Sequence, residues 1–163
     1  MKKYPVIIGR FEKVDVVGKL ESIPTKVDTG SYRSAIHAGN IGIIKKNKND
    51  YLRFTILGHP SFKSKSTLQT QLFREVVVTS TSGHKVTRFE VKLKIRLGYK
   101  TFQTSFTLAD RAHTTFPVLL GRKCIRNRFL VDVGQSGLSR KELRNAAELI
   151  NKGDEGNIEE LEQ

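Results

Sequence analysis

Residues 88–97, Arg-Phe-Glu-Val-Lys-Leu-Lys-Ile-Arg-Leu, alternate charged and apolar side chains without a break. A period of two is that of a β-strand with one buried face. Phe89, Val91, Leu93, Ile95 and Leu97 then share the inner side, and Arg88, Glu90, Lys92, Lys94 and Arg96 the outer one. Gly98-Tyr99-Lys100 predicts a turn into a second strand over Thr101 to Leu108, which makes the two a hairpin. β-Branched and aromatic residues mark Lys13 to Val17 and Phe73 to Val78 as further strands. The polar stretches Lys45 to Asp50 and His59 to Ser66 read as loops, and Thr79 to Lys85 as a turn-rich link between strands.

Most of residues 4–133 therefore reads as strand, and helical periodicity emerges only near the end. Ser139 suits an N-cap, with Glu142 three residues on to complete a capping box. Leu143, Ala146, Ala147 and Ile150 then fall on one helical face. After Gly153 the chain turns acidic, and fraying is expected there. The expected fold class is all-β: a closed barrel over residues 4–138, followed by an acidic, partly helical extension over 139–163. A length of 163 residues suits one such domain.

Charge changes the picture of partners. The net charge is +13, yet residues 139–163 hold four basic and seven acidic side chains, so the body carries +16. A basic surface of this size favours an anionic partner: an acidic peptide, a ribosome or a nucleic acid. A hydrophobic content of 37% argues for a packed core rather than disorder. No apolar run approaches the ~20 residues that span a bilayer. The apolar stretch near the N-terminus is too short for a secretory signal, and Cys124 is the single cysteine, so a cytoplasmic protein is expected.

The candidate chemistry lies in Asp28-Thr29-Gly30, which ends the run Ile23-Pro24-Thr25-Lys26-Val27. A carboxylate at a strand end, followed by a glycine that lets backbone amides approach it, is how an aspartic protease presents its catalytic group. Three residues alone are a weak signal, since Asp and Gly also favour plain turns. Far downstream, Phe116-Pro117-Val118-Leu119-Leu120-Gly121-Arg122 supplies a second strand that ends in two apolar residues and a glycine.

Taken together these blocks resemble the retropepsin-like aspartic protease fold, in which the apolar-apolar-Gly segment lies beside the catalytic loop. A narrower resemblance is to the bacterial family named for ATP-dependent zinc proteases. It is carried by Ile8-Gly9-Arg10, Lys26 to Gly30 with Ser34 to Ala38, Val78 to His84, Leu108 to Arg111, and Leu119 to Arg122 with Phe129 to Asp132. These occur in the family's order and cover about residues 7–133. Departures fall at Ser31-Tyr32-Arg33, at Ala112 to Phe116 and at Cys124-Ile125, close to where substrate would lie.

The resemblance implies a peptidase in which Asp28 is catalytic, Thr29 braces the site and Gly30 holds the carboxylate through its amide. Ser80, Thr81, Ser82, Gly83 and His84 would form a flap. Arg111, Gly121 and Arg122 would orient or contact substrate. One Asp-Thr-Gly supplies one carboxylate where two are needed, so a homodimer is implied. Some relatives accompany a ligase that adds glutamates to a ribosomal protein, which with the charge suggests an acidic or glutamate-tailed substrate. Neither half of the family's name finds its residues here. There is no Gly-x-x-x-x-Gly-Lys-Ser/Thr loop for ATP and no His-Glu-x-x-His helix. The histidines at 37, 59, 84 and 113 are scattered, each suiting a surface or a hydrogen-bonded core position. No metal or other cofactor is expected; a zinc site would require His37, His84 and Cys124 to meet. The competing reading is a non-catalytic basic β-barrel that binds RNA, ribosome or peptide, with Lys45–Lys48 and Lys63–Lys65 as its contact loops.

Overall fold

The structure, a computed structural model, describes residues 5–80 and 82–151. In chain order these form β1 (Val6–Ile8), β2 (Phe11–Val16), β3 (Leu20–Val27), β4 (Ser34–Lys46), β5 (Asn49–His59), β6 (Phe62–Thr70) and β7 (Phe73–Thr79). There follow β8 (Lys85–Leu97), β9 (Lys100–Ala109), β10 (Val118–Leu120), α1 (Arg122–Ile125), β11 (Phe129–Val131) and α2 (Arg140–Asn151). The all-β expectation holds. Thr81 and the stretch after Gly153 lie outside the described residues.

Six strands close into a barrel. β3 pairs with β2, β2 with β8, and β8 with β9, all antiparallel. β9 runs parallel to β4. The short β10 closes the ring, antiparallel to β4 and parallel to β3, with Leu120 opposite Val27. Ile23, Ile36, Ile95 and Leu120 have no exposed surface inside this ring, and Val14 and Phe106 almost none. Burying each such side chain is worth about 1.5–3 kcal/mol. β5 and β6 extend outward from the long β4, and β7 lies on the free end of β8. β1 and β11 form a separate parallel pair.

Two expected loops are hairpins instead. The stretch from Lys45 to Asp50 narrows to a two-residue turn at Asn47 and Lys48, with φ of 50° and 67°. Two consecutive left-handed residues are the turn that matches strand twist, but without a glycine the sequence carried no such signal. The stretch from His59 to Ser66 shrinks to Pro60 and Ser61, because His59 pairs with Phe62 and β6 begins there. Among the described residues no helix is long and apolar enough to cross a membrane.

The helical extension follows its sequence closely. The Ser139 N–H donates to Glu142 Oε2 at 2.8 Å and the Glu142 N–H to Ser139 Oγ at 3.1 Å, completing the capping box. Leu143 seats in a cluster with Phe11, Phe116 and Leu138, which fixes α2 against the barrel. The Lys13 ammonium lies 2.6 Å from Glu142. Hydrogen bonding from Lys13 and from the Ser139 amide holds the Glu142 carboxyl down to about 2.

Glu90 breaks the alternation that marked β8. Expected outside, it is 5% exposed. β8 is flanked here by β7 and β9, and the outer face is covered by side chains from neighbouring segments. Arg33 Nη1 donates to Oε2 at 2.6 Å, and Arg74 donates to Oε1 from Nε and Nη2 at 2.8 and 2.6 Å. Lys123 stands 3.9 Å away. Burial alone would raise the Glu90 pKa, but the Arg74 bonds and the charges of Lys123 and Arg33 outweigh it and hold it below the usual value. Its stabilising contribution is therefore complete above the ordinary carboxylate range and lost as pH falls through the lowered folded value. Glu90→Gln should lower stability by about 2 kcal/mol at neutral pH. Urea titrations of variant and wild type should converge as the solution is acidified; a gap unchanged by acid would contradict this assignment.

Candidate active site

Asp28 stands where β3 leaves the barrel. Its backbone N–H donates to Leu120 O at 2.9 Å, so the register of β10 against β3 continues one residue into the loop. The half-buried carboxylate is fixed at both oxygens. Gly30 N–H donates to Oδ1 at 2.9 Å and the Ser31 hydroxyl to Oδ2 at 2.8 Å.

The loop is held from the far side by the segment after β10. A Cβ on Gly121 would lie 2.5 Å from Arg33 O and 2.7 Å from Tyr32 O, so backbone packs on backbone there. Gly121 N–H donates to Ser34 Oγ, Arg122 N–H to Ser31 O, and Lys123 N–H to Tyr32 O, at 3.0, 2.8 and 3.0 Å. The Arg122 guanidinium reaches Thr29 O at 2.9 Å. Arg122 thus contacts the Asp28 loop itself. Thr29 and Gly30 are exposed.

Beside this loop opens a cleft of 410 Å³ whose lining includes Gly30, Tyr32, Arg33, Ser80, Arg88 and Arg111. The turn between β7 and β8 overhangs it. Ser80 N–H bonds His84 O at 2.8 Å, Gly83 takes a φ of 82°, and Ser82 Oγ lies 3.2 Å from His84 Nδ1. The structure brings Ser80 to the cleft wall; Ser82, Gly83 and His84 form the exposed turn beyond it. Gly121 lies behind the loop rather than in the cleft.

Arg111 enters from the segment after β9, and its guanidinium donates to Phe116 O at 3.0 Å. Burial first, then the neighbouring Arg88, lowers its pKa below the ordinary arginine value, while Asp28 acts in the opposite direction. Its backbone is gripped by two histidines. Arg111 N–H donates to His37 Nδ1 at 2.9 Å, and His59 Nε2 donates to Arg111 O at 2.7 Å. Ser61 N–H donates to His59 Nδ1 at 3.0 Å, which fits the neutral tautomer with the proton on Nε2. Burial is the main cause that lowers both histidine pKa values, and each ring keeps its acceptor nitrogen unprotonated. The rings meet edge to face at 5.2 Å.

Two other carboxylates are engaged locally. Asp110 accepts from the Ala112 amide at 3.0 Å, a turn bond rather than a pair with the Arg111 guanidinium. Asp132 accepts from Gly134 N–H and Gln135 Nε2. His37 adjoins His59, while His84 belongs to the exposed turn. Cys124 is fully buried, and burial pushes its thiol up to about 11. Among the described residues no three His, Cys, Asp or Glu side chains lie close enough to share a metal ion.

Sequence reasoning put Arg33 near the substrate and allowed a hydrogen-bonded core position for His37 and His59, but it gave none of them, nor Arg88, a place among the site residues. Arg88 had a signal: it sits on the polar face of the alternating strand where that strand runs into the overhanging turn. The two histidines had none, because they meet only through the packing of β4 and β5 against the segment after β9.

The comparisons with known proteins accord with this geometry. Residues 7–142 match the family described as Retropepsin-like aspartic endopeptidase RimB. The crystal structure of Lpg0085 from Legionella pneumophila, a DUF785 protein with unknown function, is similar with a TM-score of 0.67. It is 28% identical, and the match covers 82% of this chain and 97% of that one. Two proteins named Probable alpha-L-glutamate ligase, from Desulfotalea psychrophila and Parasynechococcus marenigrum, are each 28% identical over 116 and 131 residues. Those matches cover 69% and 78% of this chain but 25% and 28% of theirs, so it spans about a quarter of the length of these curated relatives. The chain belongs to the RimB-like family of retropepsin-like aspartic endopeptidases.

Proposed function

We propose that the protein is an aspartic peptidase that acts as a homodimer, with one Asp28 from each copy forming the catalytic dyad. The observation that carries this reading is the placement of Asp28. Its carboxylate is fixed at a strand end by the Gly30 amide and the Ser31 hydroxyl, beside a cleft of peptide-binding size. A second copy is supported by an exposed apolar patch. Ile7 and Leu130 pair across β1 and β11, each 57% exposed, with Val133 beyond them. Joining two such patches about a twofold axis is the simplest route to a second carboxylate.

Two Asp28 carboxylates in close approach cannot both ionise, so the pair shares one proton over a wide pH range. The ionised member takes a proton from water as the water oxygen bonds to the peptide carbonyl carbon. The protonated member gives its proton to the carbonyl oxygen. Collapse of the resulting diol breaks the C–N bond: the leaving nitrogen takes a proton from the protonated member, and a diol hydroxyl returns one to the ionised member, which restores the dyad. Thr29 braces the two loops, and the turn from Ser80 to His84 closes over substrate to exclude water. The mechanism calls on no cofactor.

An acidic substrate is supported by the cleft's charge. Arg33 is committed to Glu90, whereas Arg88 and Arg111 have no carboxylate within salt-bridge distance among the described residues. A guanidinium pair in a half-enclosed cleft suits a side-chain carboxylate. The relatives named as glutamate ligases point toward glutamate-rich protein as that substrate. A reducing cytoplasmic setting is consistent with the single buried cysteine.

Asp28→Asn should abolish cleavage of an oligoglutamate-tailed peptide while leaving the circular dichroism spectrum and urea midpoint unchanged. Cleavage by that variant at the wild-type rate would sink the proposal. Arg111→Gln should raise KM for the acidic peptide about tenfold or more and leave a neutral peptide little affected. An equal effect on both peptides would count against an acid-selective cleft.

A further inference from the structure

A second cavity lies behind the segment that carries Arg111. It measures 510 Å³, larger than the Asp28 cleft, and takes side chains from three adjacent strands. His37 comes from β4, Thr55 and His59 from β5, and Lys63 and Lys65 from β6. β5 presents its apolar residues Leu52, Phe54 and Ile56 to the core. Thr55 and His59 belong to the other face, where Thr55 Oγ1 meets Thr67 Oγ1 at 2.9 Å.

The concavity is built by backbone irregularities. The β4–β5 register shifts between Gly39 and Gly42, and the β5–β6 register between Leu57 and His59. Asn40, Leu57 and Gly58, all on the cavity wall, take φ of 51°, 65° and 68°. Leu57 is a branched, buried residue in the left-handed region, a conformation that costs of order 1 kcal/mol or more. These irregularities lie on either side of β5, one opposite Arg53–Thr55 and one at Leu57–His59, and bulges of this kind bend the strands and open a hollow between them.

The chemistry of the lining is one-sided. No Asp or Glu lines the cavity. Neither Lys63 nor Lys65 has an acidic partner among the described residues. His37 Nδ1 is engaged as acceptor to the Arg111 amide, which leaves Nε2–H as its donor. The nearby Asp110 is 74% exposed, with Oδ1 3.7 Å from His37 Nδ1 and bonded to the Ala112 amide.

The cavity is also linked to the cleft. Ala35 lines the cleft and His37 the cavity, and as residues i and i+2 of β4 they lie on one face about 7 Å apart. Arg111 stands between, its guanidinium in the cleft wall and its amide on His37. An extended polypeptide covers that step in about two or three residues.

We infer that this cavity is an anion subsite, in which Lys63, Lys65 and His37 take a side-chain carboxylate from an acidic polypeptide lying in the Asp28 cleft. The inference rests on the proposed placement of peptide in that cleft but not on turnover. It makes recognition depend on chain length: a short acidic peptide fills the cleft alone, and a longer one gains the second anchor.

Fluorescence anisotropy on the Asp28→Asn protein tests this without cleavage. The probes are a labelled oligoglutamate of about eight residues, long enough to span both sites, and labelled diglutamate. Adding Lys63→Gln and Lys65→Gln should weaken the long probe about tenfold and leave the short one unchanged. Lys45→Gln with Lys48→Gln removes the same charge at the far turn of the β4–β5 hairpin and should change neither. Equal binding of the long probe with and without Lys63 and Lys65 would overturn the subsite. So would equal weakening by the control pair, which would mean diffuse charge alone. Inorganic phosphate binding that depends on Lys63 and Lys65, without any such dependence for oligoglutamate, would assign the cavity to a free anion and overturn the polypeptide reading. Lysine-dependent binding by a protein whose wild type cleaves nothing would uphold the subsite and remove the peptidase reading alone.

Discussion

The fold depends on how closely β10 and the residue after it approach the rest of the chain. Three residues of strand fit between β3 and β4, bonding to one in parallel and the other in antiparallel sense. Gly121 then lies against the carbonyls of Tyr32 and Arg33 at a separation that no side chain permits. This contact closes the barrel and fixes the loop after Asp28 in the same stroke. The carboxylate is therefore positioned by main-chain hydrogen bonds on a rigid scaffold, with the Ser31 hydroxyl as the side-chain contribution. Small errors in such positioning cost large factors in rate, so the catalytic role proposed for Asp28 benefits from a loop built into the barrel seam.

Around that seam the charges are distributed with a clear division. Glu90 gathers Arg33, Arg74 and Lys123 at the outer side of β8, which ties the end of the Asp28 loop to the strand that leads to the overhanging turn. Arg88, two residues away on the same face, is left for the cleft, together with Arg111. Arg111 is placed by its backbone, through His37 and His59, rather than by an acidic neighbour. Apart from the Nε bond to Phe116 O, a guanidinium held this way keeps its donors available for a ligand.

The alternation in residues 88–97 and the ordered blocks from Ile8 to Asp132 made the barrel, the hairpin over residues 88–108 and the Asp28 loop legible in the sequence. The capping box at Ser139 was legible for the same reason: it is local. Most of what escaped was non-local. Glu90 looked solvent-facing because period two reports one strand and not the loop folded over it. The turn at Asn47 and Lys48 was hidden because two non-glycine residues adopt left-handed φ there. His37 and His59 are 22 positions apart and meet through a third segment, so no spacing rule links them. Expected contacts of Arg111 and Arg122 were assigned alike from sequence, yet one lines the cleft and the other holds Thr29.

The account stands on a site shared between two copies, and subunit mixing tests that most directly. Wild-type protein is exchanged with a ninefold excess of the Asp28→Asn variant, and peptide cleavage is measured per wild-type chain. A dyad that draws one carboxylate from each copy predicts a fall to about one tenth, because nearly all wild-type chains then sit in mixed dimers. Activity per wild-type chain that stays constant across the mixing series would mean that each copy works alone, and would contradict the account.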